Sequence, residues 1–121
     1  MPKLLRGLSI LIGVSLFFNA VRFAFAPAGA AADLGMDLLT GVGASTQIGD
    51  IGALFLAASV LIALGQRPGQ GRWLLAAAIL LGCAALMRTL AGATGHADFA
   101  PQFVVPEVVM AGILVAAARK S

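Results

Sequence analysis

Four charged residues stand alone in otherwise apolar stretches of this chain: Arg22, Asp50, Arg88 and Glu107. Arg88 poses the problem most sharply. It lies near the end of WLLAAAILLGCAALMRTLA, a run from Trp73 to Ala91 that holds no other charge. A guanidinium without a counter-charge is costly in apolar surroundings, so an acid at the same level has to compensate for it. Two arginines and two acids suit two kinds of chemistry. They can pair as structural ion pairs, or they can line a polar pocket for an anionic or amphipathic ligand. A desolvated Glu107 could also couple the movement of a proton or an ion.

The remaining reactive side chains offer less. Cys83 is the only cysteine and lies inside an apolar run, where a small packing residue is expected. His96, the only histidine, has Asp98 two residues on, but two ligands fall short of the three or four that a metal site needs. "GVGAST" lacks the βαβ setting and the lysine of a phosphate loop, and "GQRPGQGR" lacks its GK[ST] ending. No G-x-S-x-G, H-E-x-x-H or Cys–His arrangement occurs. No catalytic residue, metal or cofactor is therefore expected, and the balance leans away from an enzyme.

The elements that position these residues follow from composition. Of the 121 residues, 60% are hydrophobic and 11% charged, against about 45–50% and about 25% in soluble domains. A soluble fold of this length could not hide that much apolar surface, so the lipid bilayer is the expected surrounding. A membrane-crossing helix needs about 20 mostly apolar residues. Four runs come near that length: 4–26, 47–64, 73–91 and 102–118. Gly and Pro punctuate all three connections. The fold class expected is an all-α integral membrane protein, a single four-transmembrane-helix bundle over residues 1–121. In the first connection, the spacing of Asp33 and Asp37 suits a short interfacial helix over about 31–40, or an irregular loop over the bundle.

Positive residues set the expected orientation. Lys3 and Arg6 precede the first run, Arg67 and Arg72 separate the second from the third, and Arg119 and Lys120 follow the fourth. Four spans put all six on one side and leave the other two connections without Lys or Arg, so both termini are expected in the cytoplasm. The net charge of +3 is read as this topology signal, since the basic residues form no continuous patch, and no nucleic-acid partner is expected. A cleaved signal peptide is the rival for the first run, with "AFA" or "AGA" as its cleavage site. Pro27 directly after "AFA", and Asn19 and Arg22 within the apolar region, weigh against cleavage.

At about 1.5 Å per residue, the four charges fall about 5–7 Å inside the outer ends of their spans, one on each helix. The faces agree. Ala78, Leu81, Ala84 and Ala85 share the side of Arg88, and Met110, Ala111 and Leu114 that of Glu107. Ser15 and Asn19 share a stripe with Arg22, while Gln47 lies beside Asp50, near a Gly49, Ala53, Ala57 row. Small residues allow helices to approach, so the charged groups are expected to point into the bundle. Arg22, Asp50, Arg88 and Glu107 are thus expected to form one cluster, with Asn19 and Gln47 as supporting polar groups.

The stretches "FAFAPAG", "TQIGDIGALFLAASVLIALG", "LLGCAALMRTLAGATGHADF" and "VVPEVVMAGILVAAARKS" together resemble a family of small bacterial four-span membrane proteins, the domain of unknown function DUF4345. More distantly they are similar to DoxX-like four-helix proteins. The likeness covers nearly the whole chain and rests on an acid opening span two (Asp50), an arginine late in span three (Arg88), and Pro106–Glu107 opening span four. Where the family carries a second charge just after the first acid, this chain has Ile51 and Gly52, which leaves Arg22 as the substitute. The resemblance implies the fold, the topology and a bacterial inner membrane, with no activity attached. Small multidrug transporters share the length and the four spans, but their coupling acid belongs to the first span, where this chain has Arg22.

Two functions remain in view. One is an accessory or structural membrane component, as a homo-oligomer or within a larger complex. The alternative is binding or transport of a small anionic or amphipathic ligand through an outward-facing polar pocket.

Overall fold

The computed structural model describes residues 1–121 and is entirely helical. Helix α1 spans Lys3–Phe25 and α2 spans Pro27–Asp33. A continuous helix from Gly41 to Leu64 comprises α3 (Gly41–Thr46), a π-helical turn (Gln47–Ile51) and α4 (Gly52–Leu64). Helices α5 (Gly71–Ala93) and α6 (Pro101–Arg119) complete the chain. Four of these segments, Lys3–Phe25, Gly41–Leu64, Gly71–Ala93 and Pro101–Arg119, are long and apolar enough to cross a membrane.

The breaks have local causes. Pro27 disfavours helical geometry at Ala26, which adopts φ −140° and ψ 58°, and then serves as the first residue of α2. Gly35 and Gly95 take φ of +78° and +77° just past α2 and α5. There the Met36 and His96 amides reach back to the Ala31 and Ala91 carbonyls, the left-handed close of a Schellman motif. Pro101 opens α6 as Pro27 opens α2.

The short helix therefore lies at Pro27–Asp33, offset from the expected 31–40. The proline nucleates it early, and Gly35 ends it before Met36–Thr40, which are not helical. The second long helix begins at Gly41, ahead of the expected Gln47. Its glycines break nothing, because Gly43 packs over Leu39 and the π turn carries the helix onward.

Around the bundle the order is α1, α4, α5, α6, with α6 returning to α1. The Gln66 side-chain amide donates to Ser9 Oγ at 3.0 Å, tying the end of α4 to the start of α1. Gly71 lies against Ala118 and Ser121, tying the start of α5 to the end of α6. Both termini and the 65–70 turn thus share one end of the bundle, the termini end. Residues 26–40 and 94–100 close the other, the α2 end.

Only 19 of the 121 residues are buried, far too few to absorb a chain that is 60% hydrophobic. Leu4, Leu11, Phe18 and Phe25 on α1, and Ile79, Leu86 and Leu90 on α5, face outward. So does Cys83, which was expected to pack inside. The Gly49, Ala53, Ala57 row also faces out, because the α1 contact is made by Gly52 against Phe23 and by Ala58, Ser59 and Ile62 further along. The interior cluster comprises Ile12, Leu16, Ala58, Ile62, Leu74, Ala77, Ala78, Leu81, Leu114 and Ala117, and it fills the termini half. Phe23 stacks on Phe55 at 5.9 Å nearer the α2 end.

Close approach is set by glycine where α5 meets the end of α6. A Cβ at Gly71 would sit 2.6 Å from the Ala118 carbonyl oxygen and 2.8 Å from Ser121 Cβ. Backbone cannot yield as a side-chain tip can, so Gly71→Ala is expected to destabilise the bundle by about 1–3 kcal/mol. The check is a thermal melt in detergent, with Gly82→Ala, where no atom lies within 4 Å, as the control that leaves the melting temperature nearly unchanged.

Candidate functional site

The interior cluster stops halfway along the bundle. Leu16, Ala58 and Leu81 form its last layer and also the floor of a cavity of about 370 Å³ that lies toward the α2 end. All four long helices contribute wall residues, among them Asn19, Phe55, Ala84 and Met110. Leu34 and Met36 of the first connection form its roof.

Arg88 and Glu107 meet in the wall of this cavity. Arg88 Nε lies 2.8 Å from Glu107 Oε1. The guanidinium also lies over the Phe103 ring, with its carbon 4.8 Å from the ring centroid. Phe103 and Glu107 are one turn apart on α6, so they hold the arginine between an aromatic face and a carboxylate. Pro106 stands inside α6 between them and has no N–H for the Gln102 carbonyl, which loosens the first turn beside the cavity. The two charges are unequally placed. The Glu107 side chain is 13% exposed and that of Arg88 35%, so the acid is the more recessed of the two and the cation the more exposed.

The four expected members of one cluster are therefore distributed over three places. Arg88 and Glu107 are brought together. Arg22 instead pairs with Asp33 on α2, on the surface and outside the cavity. The chain turns back at Pro27, which places Asp33 within reach of the last turn of α1. Asp50 lies exposed on the π turn and joins neither arginine. The extra residue of that turn shifts Asp50 around the helix axis, away from the interior.

Both supporting polar residues have defined tasks. Asn19 lines the cavity and donates to the Ser15 carbonyl one turn earlier at 3.1 Å. Gln47 ties down the first connection. Its Oε1 accepts from the Leu39 amide at 2.7 Å, while its Nε2 donates to the Asp37 carbonyl at 3.1 Å and approaches Met36 Sδ at 3.7 Å. The connection that roofs the cavity is thus fastened by Gln47 on one side and by Arg22–Asp33 on the other. His96 Nδ1 meets Thr94 Oγ1 at 3.0 Å within the other connection.

Three participants were not assigned to these contacts from the sequence. Phe103 carried a readable signal, since it lies four residues before Glu107 and must share its face. Asp33 and Met36 carried none, because their positions depend on how the chain turns between Pro27 and Thr40.

The two ion pairs should differ in what they contribute to stability. Glu107→Gln leaves Arg88 without a counter-charge in a half-buried site, and a loss of about 1–3 kcal/mol is expected, less than the about 3–5 of a fully buried pair. Arg88→Gln should cost a similar amount, and the double variant should recover part of the loss. Asp33→Asn, at a carboxylate that is 64% exposed, should stay within about 1 kcal/mol of wild type. Thermal melts of the five proteins in detergent decide this. Additive losses at positions 88 and 107 would mean that the contact contributes nothing.

Comparison with family models, with curated proteins and with solved structures finds no match to this chain.

Proposed function

We propose that this chain is a multi-pass membrane protein with both termini in the cytoplasm, and that it binds a small anionic or amphipathic ligand in the cavity at its outward-facing end. The observation that carries this reading is an ion pair set in the wall of a cavity of about 370 Å³, rather than in packed protein. Helix bundles normally fill their interiors to the density of organic crystals, and ligand pockets run from about 300 to 1,000 Å³. A space with a hydrocarbon floor and a charged rim suits a molecule that is itself apolar at one end and polar at the other.

Membrane insertion is supported by the four long apolar helices and by the apolar outer surface they share. The orientation is supported by Lys3, Arg6, Arg67, Arg72, Arg119 and Lys120, which all lie at or near the termini end. Kinship with the DUF4345 family, and with it a bacterial inner membrane, belongs to the same proposal and rests on Asp50, Arg88 and Pro106–Glu107.

A second reading, an accessory component that docks another membrane helix, is favoured by one feature. The exposed Gly49, Ala53 and Ala57 present a small-residue face beside Asp50.

Two experiments test the main reading. Ala84 lines the cavity, so Ala84→Phe should fill it while keeping or raising the melting temperature. Amphiphiles that raise the melting temperature of wild type should then have no effect on the variant. Stabilisation of both alike would remove the cavity as the binding site. For the orientation, Cys83 is replaced by Ala and single cysteines are introduced as Asp98→Cys and Ser121→Cys. In intact cells an impermeant maleimide should label the first and reach the second only after permeabilisation. The reverse pattern would invert the topology.

A further inference from the structure

The geometry points to a single-chain amphiphile with an anionic head as the ligand, its head on the Arg88 guanidinium and its tail on the floor of Leu16, Ala58 and Leu81. This assignment rests on the cavity being a binding site, and it adds the charge, the size and the direction of the occupant.

The charge follows from how the Arg88–Glu107 pair is built. Glu107 approaches Arg88 through Nε, and Phe103 covers one face of the guanidinium. The contact is an ion pair whose geometry leaves Glu107 Oε1 without a hydrogen-bond partner, and neither Nη of Arg88 bonds to a protein acceptor, so the planar fork that suits a carboxylate or phosphate is free. Arg88 is also the more exposed partner, while Glu107 sits behind it at 13% exposure. An anion arriving from the cavity meets the cation first. A cationic head would have to displace Arg88 from a recessed carboxylate. Arg88 and Glu107 are the only charged residues that line the cavity, so nothing else sets its sign.

The size follows from the volume. A space of about 370 Å³ lies near the lower end of the range for ligand pockets, which suits a single-chain amphiphile such as a ten-carbon carboxylate. The direction follows from the walls. Asn19, Gln102 and both charged residues lie toward the α2 end, below the roof of Leu34 and Met36, and the floor of Leu16, Ala58 and Leu81 is hydrocarbon apart from Ser15 at its edge.

The four methionines supply the test. Met36 and Met110 line the cavity, and Met87 faces outward at 64% exposure. Protein labelled with methyl-¹³C methionine, in nanodiscs of zwitterionic lipid, is titrated with decanoate, decanol and decyltrimethylammonium. Decanoate should shift the Met110 and Met36 methyl signals saturably and leave Met87 in place, while general partitioning into the bilayer would move Met87 as well. Decanol and decyltrimethylammonium should bind at least tenfold more weakly. Arg88→Gln should lower decanoate affinity at least tenfold, and Glu107→Gln should keep or raise it. Should Arg88→Gln fail to fold, the ranking of the three probes on wild type still decides. Equal binding of decanol and decanoate would overturn the anionic head and leave the cavity reading standing. Movement of Met110 in phosphatidylglycerol nanodiscs without decanoate would overturn the single-chain assignment in favour of a bilayer lipid. If no probe moves Met110, the cavity reading falls too.

Discussion

A backbone wrapped in apolar side chains has to supply its own hydrogen-bond partners, and the rest of this structure follows from that constraint. Of 96 backbone hydrogen bonds, 76 lie within helices, and most of the remainder close caps and turns next to them. Irregular backbone is confined to the two ends, at Ala26, at residues 34–40, 65–70 and 94–100, and at the chain termini. The site therefore cannot be built from loops, as in many soluble proteins. It is made of side chains on long helices, with a single connection laid across the top. Each element of the site is then as rigid as the helix that bears it.

The bundle is uneven along its length. Toward the termini end the helices close on one another through Gly13 against Ile62, Gly65 against Leu74, and Gly71 against Ala118. Toward the α2 end the wall residues are longer and partly polar, and Pro106 deprives α6 of one hydrogen bond. The Arg88–Glu107 pair lies at this transition. It holds α5 to α6 where apolar packing has given way to space, and it places charge next to that space. The same contact that fastens two helices thus also defines the rim of the cavity.

The long helices were legible in the sequence because apolar length alone defines them, and their ends erred by only a few residues except at Gly41. The Arg88–Glu107 contact was legible as a level: counting residues from the span ends placed both at similar depth. Counting gives height along a helix, however, and says little about direction around it. Asp50 has a comparable height and points outward because one turn of its helix is π. Arg22 has the right height and faces Asp33, because Pro27 folds α2 back onto α1. Of the four charges expected to pair or to line a polar pocket, two line the cavity, and its roof depends on the route of a non-helical segment, for which hydrophobic periodicity carries no information.

The π turn at Gln47–Ile51 also has a meaning beyond the displacement of Asp50. A π turn is an α-helix with one residue added, and each residue advances the helix by about 100° of rotation. Everything before Gln47 is therefore rotated relative to α4 by the presence of that one residue, and Gln47 itself is turned toward Met36, Asp37 and Leu39. The segment acts as an angular spacer between the wall of the cavity and its roof. Its length, more than the identity of its residues, decides on which side of the bundle the roof is tied. In this chain a single-residue deletion there would be a change of direction before it was a loss of any side chain.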